Sequence, residues 1–555
     1  MSSHRQGRLT PLSRAGARRA IACGVLAAVL GAFAPQAAAR QQSAAASFVD
    51  SGTVTLVEAR QATDIDPASL AVAAPNIAVS RNIYETLVEF NGADVNHFVP
   101  LLATSWQSNA DDSVWTFHLR HGVRFHTGRC CMTADDVRYT IARSVLAGQG
   151  MAYLFARYFS NPLKQIKVLD PYTVEFDLGR PQYTFLRAIA SKNGGLIEDS
   201  VAIKKHATKS DPWAHNWATD HDAGTGPYML QSWQHGQQVV LTRFVDYWRG
   251  WSGRHFSTAY LRTVPEPATR RDLLERGQAD ITFGLTPLDD LALRSNPAVK
   301  VIAPYGTAID FIAMTQYGPL ASPLARQALS YAFPYDAMLT AAFHGFARRA
   351  YGPLASTLYG YDPHMFHYHT DLNKARELLA KAGVKPGTTL TYLFESGNEP
   401  QRVAGLLLQA QLSQIGITLK PQGVDDATHS AIYFGTEPAS KRPNLMAYDW
   451  WPDYNDPYDM AVPLIASYSA GANGANGGYY HDKQVDALLA DMQYANSEKL
   501  LSDARKLQDI TGRVDPPMIW TDEPAQVTIL AHNLHGYVFN PLDLQIYGFY
   551  SMYRS

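Results

Sequence analysis

Ser113-Val114-Trp115-Thr116-Phe117-His118-Leu119-Arg120-His121-Gly122-Val123-Arg124-Phe125-His126-Thr127-Gly128 is the stretch on which the fold class of this 555-residue chain turns. Its first half alternates: Trp115, Phe117 and Leu119 share one phase, Thr116 and His118 the other, which is the period of a half-buried strand. Gly122 and Gly128 punctuate turn-rich backbone. Thr133-Ala134-Asp135-Asp136 then opens a helix, with a hydroxyl to take an early backbone N–H and acids at the positive end of the helix dipole. Strand, turn and capped helix in succession is the grammar of an α/β protein.

The same grammar continues outward in both directions. Thr53 to Glu58 (TVTLVE) reads as a strand, and Ile77 to Leu87 has helical apolar spacing. Val168 to Leu178 is a hairpin around Asp170-Pro171-Tyr172. Asp371 caps a helix whose Ala375, Leu378, Leu379 and Ala382 recur on one face, and Gly383 closes it. Val403 to Ile415 is a second amphipathic helix, ended by Gly416, after which Ile417-Thr418-Leu419 enters a strand. No internal repeat is visible, and Ser467 to Gly478 (SYSAGANGANGG) reads as a mobile surface loop.

Composition bounds the function. The chain is 46% hydrophobic and 18% charged, ordinary for a globular protein, and long enough for two or more packed units. The N-terminus reads as a signal peptide over residues 1–39. Arg5, Arg8, Arg14, Arg18 and Arg19 precede an apolar block from Ile21 to Phe33, and Ala37-Ala38-Ala39 makes a small-residue exit. Arg18-Arg19 alone does not decide between the general and twin-arginine export routes. Cys23 lies too early in the block to be the lipidated residue of a lipoprotein, so a soluble periplasmic protein is expected. Removing the leader takes away arginines and no acids, leaving a mildly acidic chain without an electrostatic footprint for nucleic acid. Cys130 and Cys131 are then the remaining cysteines. Adjacent cysteines bond only through a small strained ring, so two partly buried thiols are expected, with a redox pair as the alternative.

The ordered motifs resemble family 5 of the extracellular solute-binding proteins, the dipeptide, oligopeptide and nickel group. Asn82-Ile83-Tyr84-Glu85-Thr86-Leu87-Val88 looks like the family's N-x-Y-E-G-L-V, with Thr86 in place of Gly. Pro100 to Trp106 resembles P-x-L-A-x-S-W, and Thr116 to Gly128 its T-F-x-L-R-x-G-V-x-F-H-D-G. Gly224-Thr225-Gly226-Pro227-Tyr228, Asp246-Tyr247-Trp248, Arg326-Gln327-Ala328-Leu329-Ser330 and Tyr479 to Leu489 keep the family's order. Pro334-Tyr335-Asp336 and Pro319 to Pro323 depart from it, which bears on subfamily rather than fold.

The resemblance implies a two-lobed periplasmic binding fold of type II, similar to cluster C, with an extra domain inserted in the first lobe. The expected boundaries are 40–82, 223–302 and 515–555 for the first lobe, 83–222 for the insertion and 303–514 for the second lobe. Pro304-Tyr305-Gly306 and Asp515-Pro516-Pro517 interrupt regular patterns, placing hinge crossings near 300–306 and 510–517. The implied function is a monomeric receptor that closes on a small ligand and docks on the permease of an ABC importer, with no cofactor, no catalytic residue and no metal.

Tyr448-Asp449-Trp450-Trp451-Pro452-Asp453-Tyr454-Asn455-Asp456-Pro457 is the expected ligand segment. Its indoles, tyrosines and acids make an aromatic, anionic surface suited to a cationic group. Peptide-binding relatives carry a similar run, whose Asp takes the α-ammonium; the resemblance puts that role on Asp453, with Trp450, Trp451 and Tyr454 around the ligand. Arg402 is the candidate for a peptide carboxylate. An oligosaccharide stacked on the paired indoles and a nickel chelate are the alternatives. An alternative of another class, a metal-dependent hydrolase, would use His364, His367 and His369.

Overall fold

The computed structural model describes residues 48–69, 74–150, 152–471, 474–542 and 547–555. The segment read as a signal peptide lies outside the described residues. From Ala46 onward the chain forms one compact unit, built on two large sheets and a smaller third.

Thr53–Glu58 is a strand as its alternation predicts, with Val54, Leu56 and Val57 buried. It lies inside a seven-stranded sheet, parallel to both Thr258–Thr263 and Ile281–Phe283. Gln238–Arg243 and Tyr228–Gln234 extend this sheet on one side. Thr528–Ala531 and Val299–Ile302 extend it on the other.

The second sheet has six strands in the order Ala347–Arg349, Met518–Pro524, Ile309–Met314, Leu445–Trp450, Thr389–Glu395, Thr418–Val424. Its faces alternate into separate cores. Ile312, Leu390, Tyr392 and Leu445 pack with the helices Pro323–Ala332, Leu372–Lys381 and Glu399–Ser413. Phe311, Leu393, Met446 and Trp520 pack with Pro457–Ile465, Lys483–Met492 and Ser497–Asp509. A sheet covered on both faces needs apolar residues at consecutive positions, which is how Ile309–Met314 (IDFIAM) reads, Asp310 excepted.

The quoted motif forms the third sheet. Val114–Leu119 pairs antiparallel with Ala103–Ser108 and with Thr173–Asp177, which pairs in turn with Ile166–Asp170. Phe117 and Phe176 are fully buried and meet edge-to-face at 5.5 Å. Helix Ala134–Ala147 covers them, opened by a capping box between Thr133 and Asp136. Such a box satisfies two of the orphan N–H groups at the helix start, worth about 1 kcal/mol.

Three expectations need correction. Strand Met518–Pro524 belongs to the six-stranded sheet, so the return to the first sheet comes at Thr528 rather than at 515. The crossings are therefore 303–308 and 525–527. They run side by side: Tyr305 bridges Ala525, and Gln526 N–H donates to the Pro304 carbonyl at 2.7 Å. The Gly-rich 467–478 segment is not a mobile surface loop where it is described. Ala475 and Asn476 are fully buried. A Cβ on Gly477 would stand 2.6 Å from the Tyr433 ring, and one on Gly478 2.6 Å from the Met314 carbonyl, so these glycines serve close approach. Finally, Cys130 and Cys131 form a disulfide rather than two thiols. Their loop is pinned on both sides, by Phe125 N–H to Arg129 O and Met132 N–H to Val123 O, which holds the two residues in one tight turn.

Candidate functional site

A cleft of about 540 Å³ lies between the two large sheets, floored by Pro524 and the crossing residues Ala525 to Val527. That size suits a small organic ligand. Its wall on the second-sheet side is anionic for a structural reason. Asp310 stands directly opposite Asp449 on one neighbouring strand and Asp522 on the other. Opposed residues share a face of the sheet, with Cβ atoms about 5 Å apart. Glu395 ends the next strand beyond Asp449. Asp310, Asp449 and Glu395 thus line the cleft with Asp522 buried against Asp310, although like charges in opposed positions are destabilising.

Burial and mutual repulsion raise the carboxyls of these acids. Burial, then the charges of Asp522 and Asp449, raises Asp310 well above the carboxylate range. Burial and the Glu395 charge push Asp449 up to about 6, and burial pushes Asp522 up to about 7. Across the cleft, helix Pro287–Leu293, capped by Thr286, brings in Asp290. Burial, then the neighbouring Asp289, raises Asp290 to about 7. Arg60 is the cation on this wall; its nearest acid is Asp426 at 3.8 Å, and both side chains are mostly exposed.

The sequence candidates fall in different places. Trp451 lines the cleft. Trp450, the last residue of its strand, packs instead against the core under helix Pro457–Ile465, so the two indoles do not form a shared stacking platform. Tyr454 is fully buried in the core of the small domain and accepts a hydrogen bond from Arg157 Nη1 at 2.7 Å. Arg402 is exposed and bound by two hydrogen bonds to Glu399 one turn earlier, off the cleft lining. A helix places residues three apart on one face, and this pair satisfies itself there.

Asp453 stands one residue behind the wall. Its Oδ1 accepts from Asn193 Nδ2 at 3.2 Å and its Oδ2 from Tyr153 Oη at 2.6 Å. Burial raises its carboxyl, and these two donors counteract the rise. Asn193 lines the cleft. Tyr153 and Asn193 come from the small domain, as do the partners of the residues that follow. Ser191 Oγ donates to the Asp453 carbonyl, Arg187 Nη1 to the Asn455 carbonyl, Tyr183 Oη to Asp456 Oδ2, and Asn455 Nδ2 to Asn96 Oδ1. The Asp453-to-Asp456 turn is therefore a latch between the second sheet and the small domain.

The three histidines do not converge. His367 stacks on Tyr351, His369 meets Tyr331 edge-on, and the His364 backbone N–H donates to Asp362 Oδ1. Among the described residues no group of three His, Cys, Asp or Glu is placed to share a metal ion.

Two sheet-based lobes, joined by paired crossings over a ligand-sized cleft, define a two-lobed solute-binding protein. The profile of the bacterial extracellular solute-binding proteins, family 5 (Middle), matches residues 97–472, and the chain belongs to that family. It is 28% identical over 455 residues to a probable D,D-dipeptide-binding periplasmic protein of Escherichia coli, covering 81% of this chain and 84% of that one. It is 26% identical over 499 residues to a di/tripeptide-binding protein of Pseudomonas aeruginosa, covering 86% and 91%. Its fold is that of a periplasmic binding protein from Helicobacter pylori solved with the peptide STSA. The TM-score is 0.76 at 24% identity, over 91% of this chain and 98% of that one.

Proposed function

We propose that this chain is the periplasmic receptor of an ABC importer for short peptides or amine-bearing amino-acid derivatives, exported by its N-terminal segment and acting as a monomer. The observation that carries this reading is the cleft between the sheets: hydrogen-bond acceptors converge on it, and the hinge crossings form its floor. The names of the relatives support a peptide. The first lobe comprises 40–82, 223–302 and the chain from Thr528 onward, the inserted domain 83–222, and the second lobe 303–524.

In this mechanism the lobes rotate about 303–308 and 525–527, and the Asp453-to-Asp456 turn latches onto the inserted domain when they meet. The ligand amine sits at Asn193 beside Trp451. Asp453 holds the Asn193 amide through its Nδ2 and adds its charge from behind. Trp451 covers the ligand backbone. The closed form then presents both lobes to the permease.

The test is a thermal-shift and calorimetric screen of dipeptides to pentapeptides, coupled to small-angle scattering. Peptides that raise the melting temperature and reduce the radius of gyration together support the reading. Binding of neutral sugars with no response to any amine would contradict it.

A further inference from the structure

An α-ammonium brings one positive charge, yet the cleft lining carries Asp290, Asp310, Glu395 and Asp449, with Asp522 fully buried against Asp310. Glu399 is neutralised by Arg402, and Asp289 beside Asp290 is held by Arg271 at 2.8 Å. Arg60 is the cation facing these acids, and its side chain is mostly exposed. Acceptor capacity is also left over. Asp290 is 5% exposed and Asn193 4%, and Oδ1 of each has no hydrogen-bond partner among the described residues. A buried acceptor without a donor carries its full desolvation penalty unless a ligand satisfies it.

We propose that, on the peptide-receptor reading above, the ligand carries a second cationic group, an ammonium or guanidinium at the end of an aliphatic stem. That group is held between the Asp310–Asp449–Glu395 row of the second lobe and Asp290 of the first. The row suits an extended organic cation better than a metal ion. Among the described residues no three His, Cys, Asp or Glu are placed to share a metal ion, whereas an organic cation needs only separate hydrogen bonds. A guanidinium or ammonium has several diverging donors and reaches carboxylates on adjacent strands at once. Leu285 and Phe343 supply apolar lining for the stem. Because the two sides of this subsite come from different lobes, the second charge also contributes to closure. The raised carboxyls add a signature: a bound cation favours their charged form and displaces the fraction of protons that burial keeps on Asp290 and Asp449.

The experiment compares side chains matched in shape and different in charge. Calorimetry on the whole protein at pH 7 uses Ala-Lys and Ala-Arg against Ala-norleucine and Ala-citrulline, with putrescine and nickel chloride alone as further probes. The charged member of each pair is expected to bind about 10- to 100-fold more tightly. It should also release protons, seen as a binding heat that varies with buffer ionisation enthalpy. In Asp449→Asn, and separately in Asp290→Asn, the charge preference should fall to within about threefold of unity. Both replacements are isosteric and remove like-charge repulsion, so a melt of each variant reports folding independently.

Equal affinity for charged and neutral partners would overturn the second-cation subsite while leaving the peptide receptor standing. A preference that survives both substitutions, or nickel binding lost with the same carboxylates, would overturn it too. Failure of every peptide to bind would refute the receptor reading instead. In that case putrescine bound by the wild type and lost in Asp449→Asn supports the cation subsite, and no putrescine binding rejects it.

Discussion

Asp453→Ala tests the latch. The substitution removes the acceptor of Tyr153 Oη at 2.6 Å and of Asn193 Nδ2 at 3.2 Å, both on the inserted domain, while the backbone bond from Ser191 remains. A hydrogen bond to a charged group contributes about 1.5–3 kcal/mol when buried. Tyr153 is 51% exposed, so its bond is discounted for screening. The bond to Asn193 is long for a charged pair. Together they amount to about 1–3 kcal/mol of closure, or about a 5- to 150-fold change in the ratio of closed to open molecules. Small-angle scattering should show a larger ligand-free radius of gyration in the variant. Amide exchange across residues 453–456 should accelerate by a similar factor. Asp453→Asn should recover part of the protection, since the amide oxygen still accepts one bond. Identical scattering and identical exchange in all three proteins would refute the latch, whatever happened to ligand affinity.

Three further outcomes are expected. Burial pushes Glu58 up to about 8, against the pull of Arg60 and Arg270. The folded form therefore keeps a proton that the unfolded chain releases near pH 4.5, and this contribution to stability is lost as pH rises toward 8. Glu58→Gln should stabilise by on the order of 4 kcal/mol at pH 8 and by under about 1 kcal/mol at pH 5, read from denaturant melts; an equal gain at both pH values would contradict the assignment. Gly477→Ala drives a methyl into the buried Tyr433 ring and should cost about 1–3 kcal/mol in the same assay, with no loss pointing to a freely moving segment. Trp451→Ala should weaken peptide binding by about tenfold, as for one lost aromatic cover, whereas Trp450→Ala should lower stability first because its indole packs in the core.

Local grammar was readable wherever one segment carried its own reason for being ordered. The Thr133–Asp136 capping box, the Thr53–Glu58 alternation and the Ile166–Asp177 hairpin each follow from residues within one turn or one strand. The acid row was not readable. Asp310, Asp449 and Asp522 sit on strands distant in sequence, and their alignment is a property of register. The signal present was an acid inside an apolar strand, as Asp310 is in Ile309–Met314. Asp453 was legible as chemistry but its place behind Asn193 was not, because that depends on how the inserted domain docks. Arg402 was misplaced for a nearer reason: Glu399 lies three residues earlier on the same helix and claims it. The glycines of 474–478 mimic a flexible linker in composition, and only the Tyr433 and Met314 neighbours reveal that they permit packing.

On the receptor reading, a small amine-bearing solute occupies the cleft between the two lobes. Native mass spectrometry of the protein recovered from its own periplasm, with the released molecule identified, tests it most directly. A stoichiometric short peptide or related amine is the expected occupant. A bound neutral sugar or metal complex would contradict it.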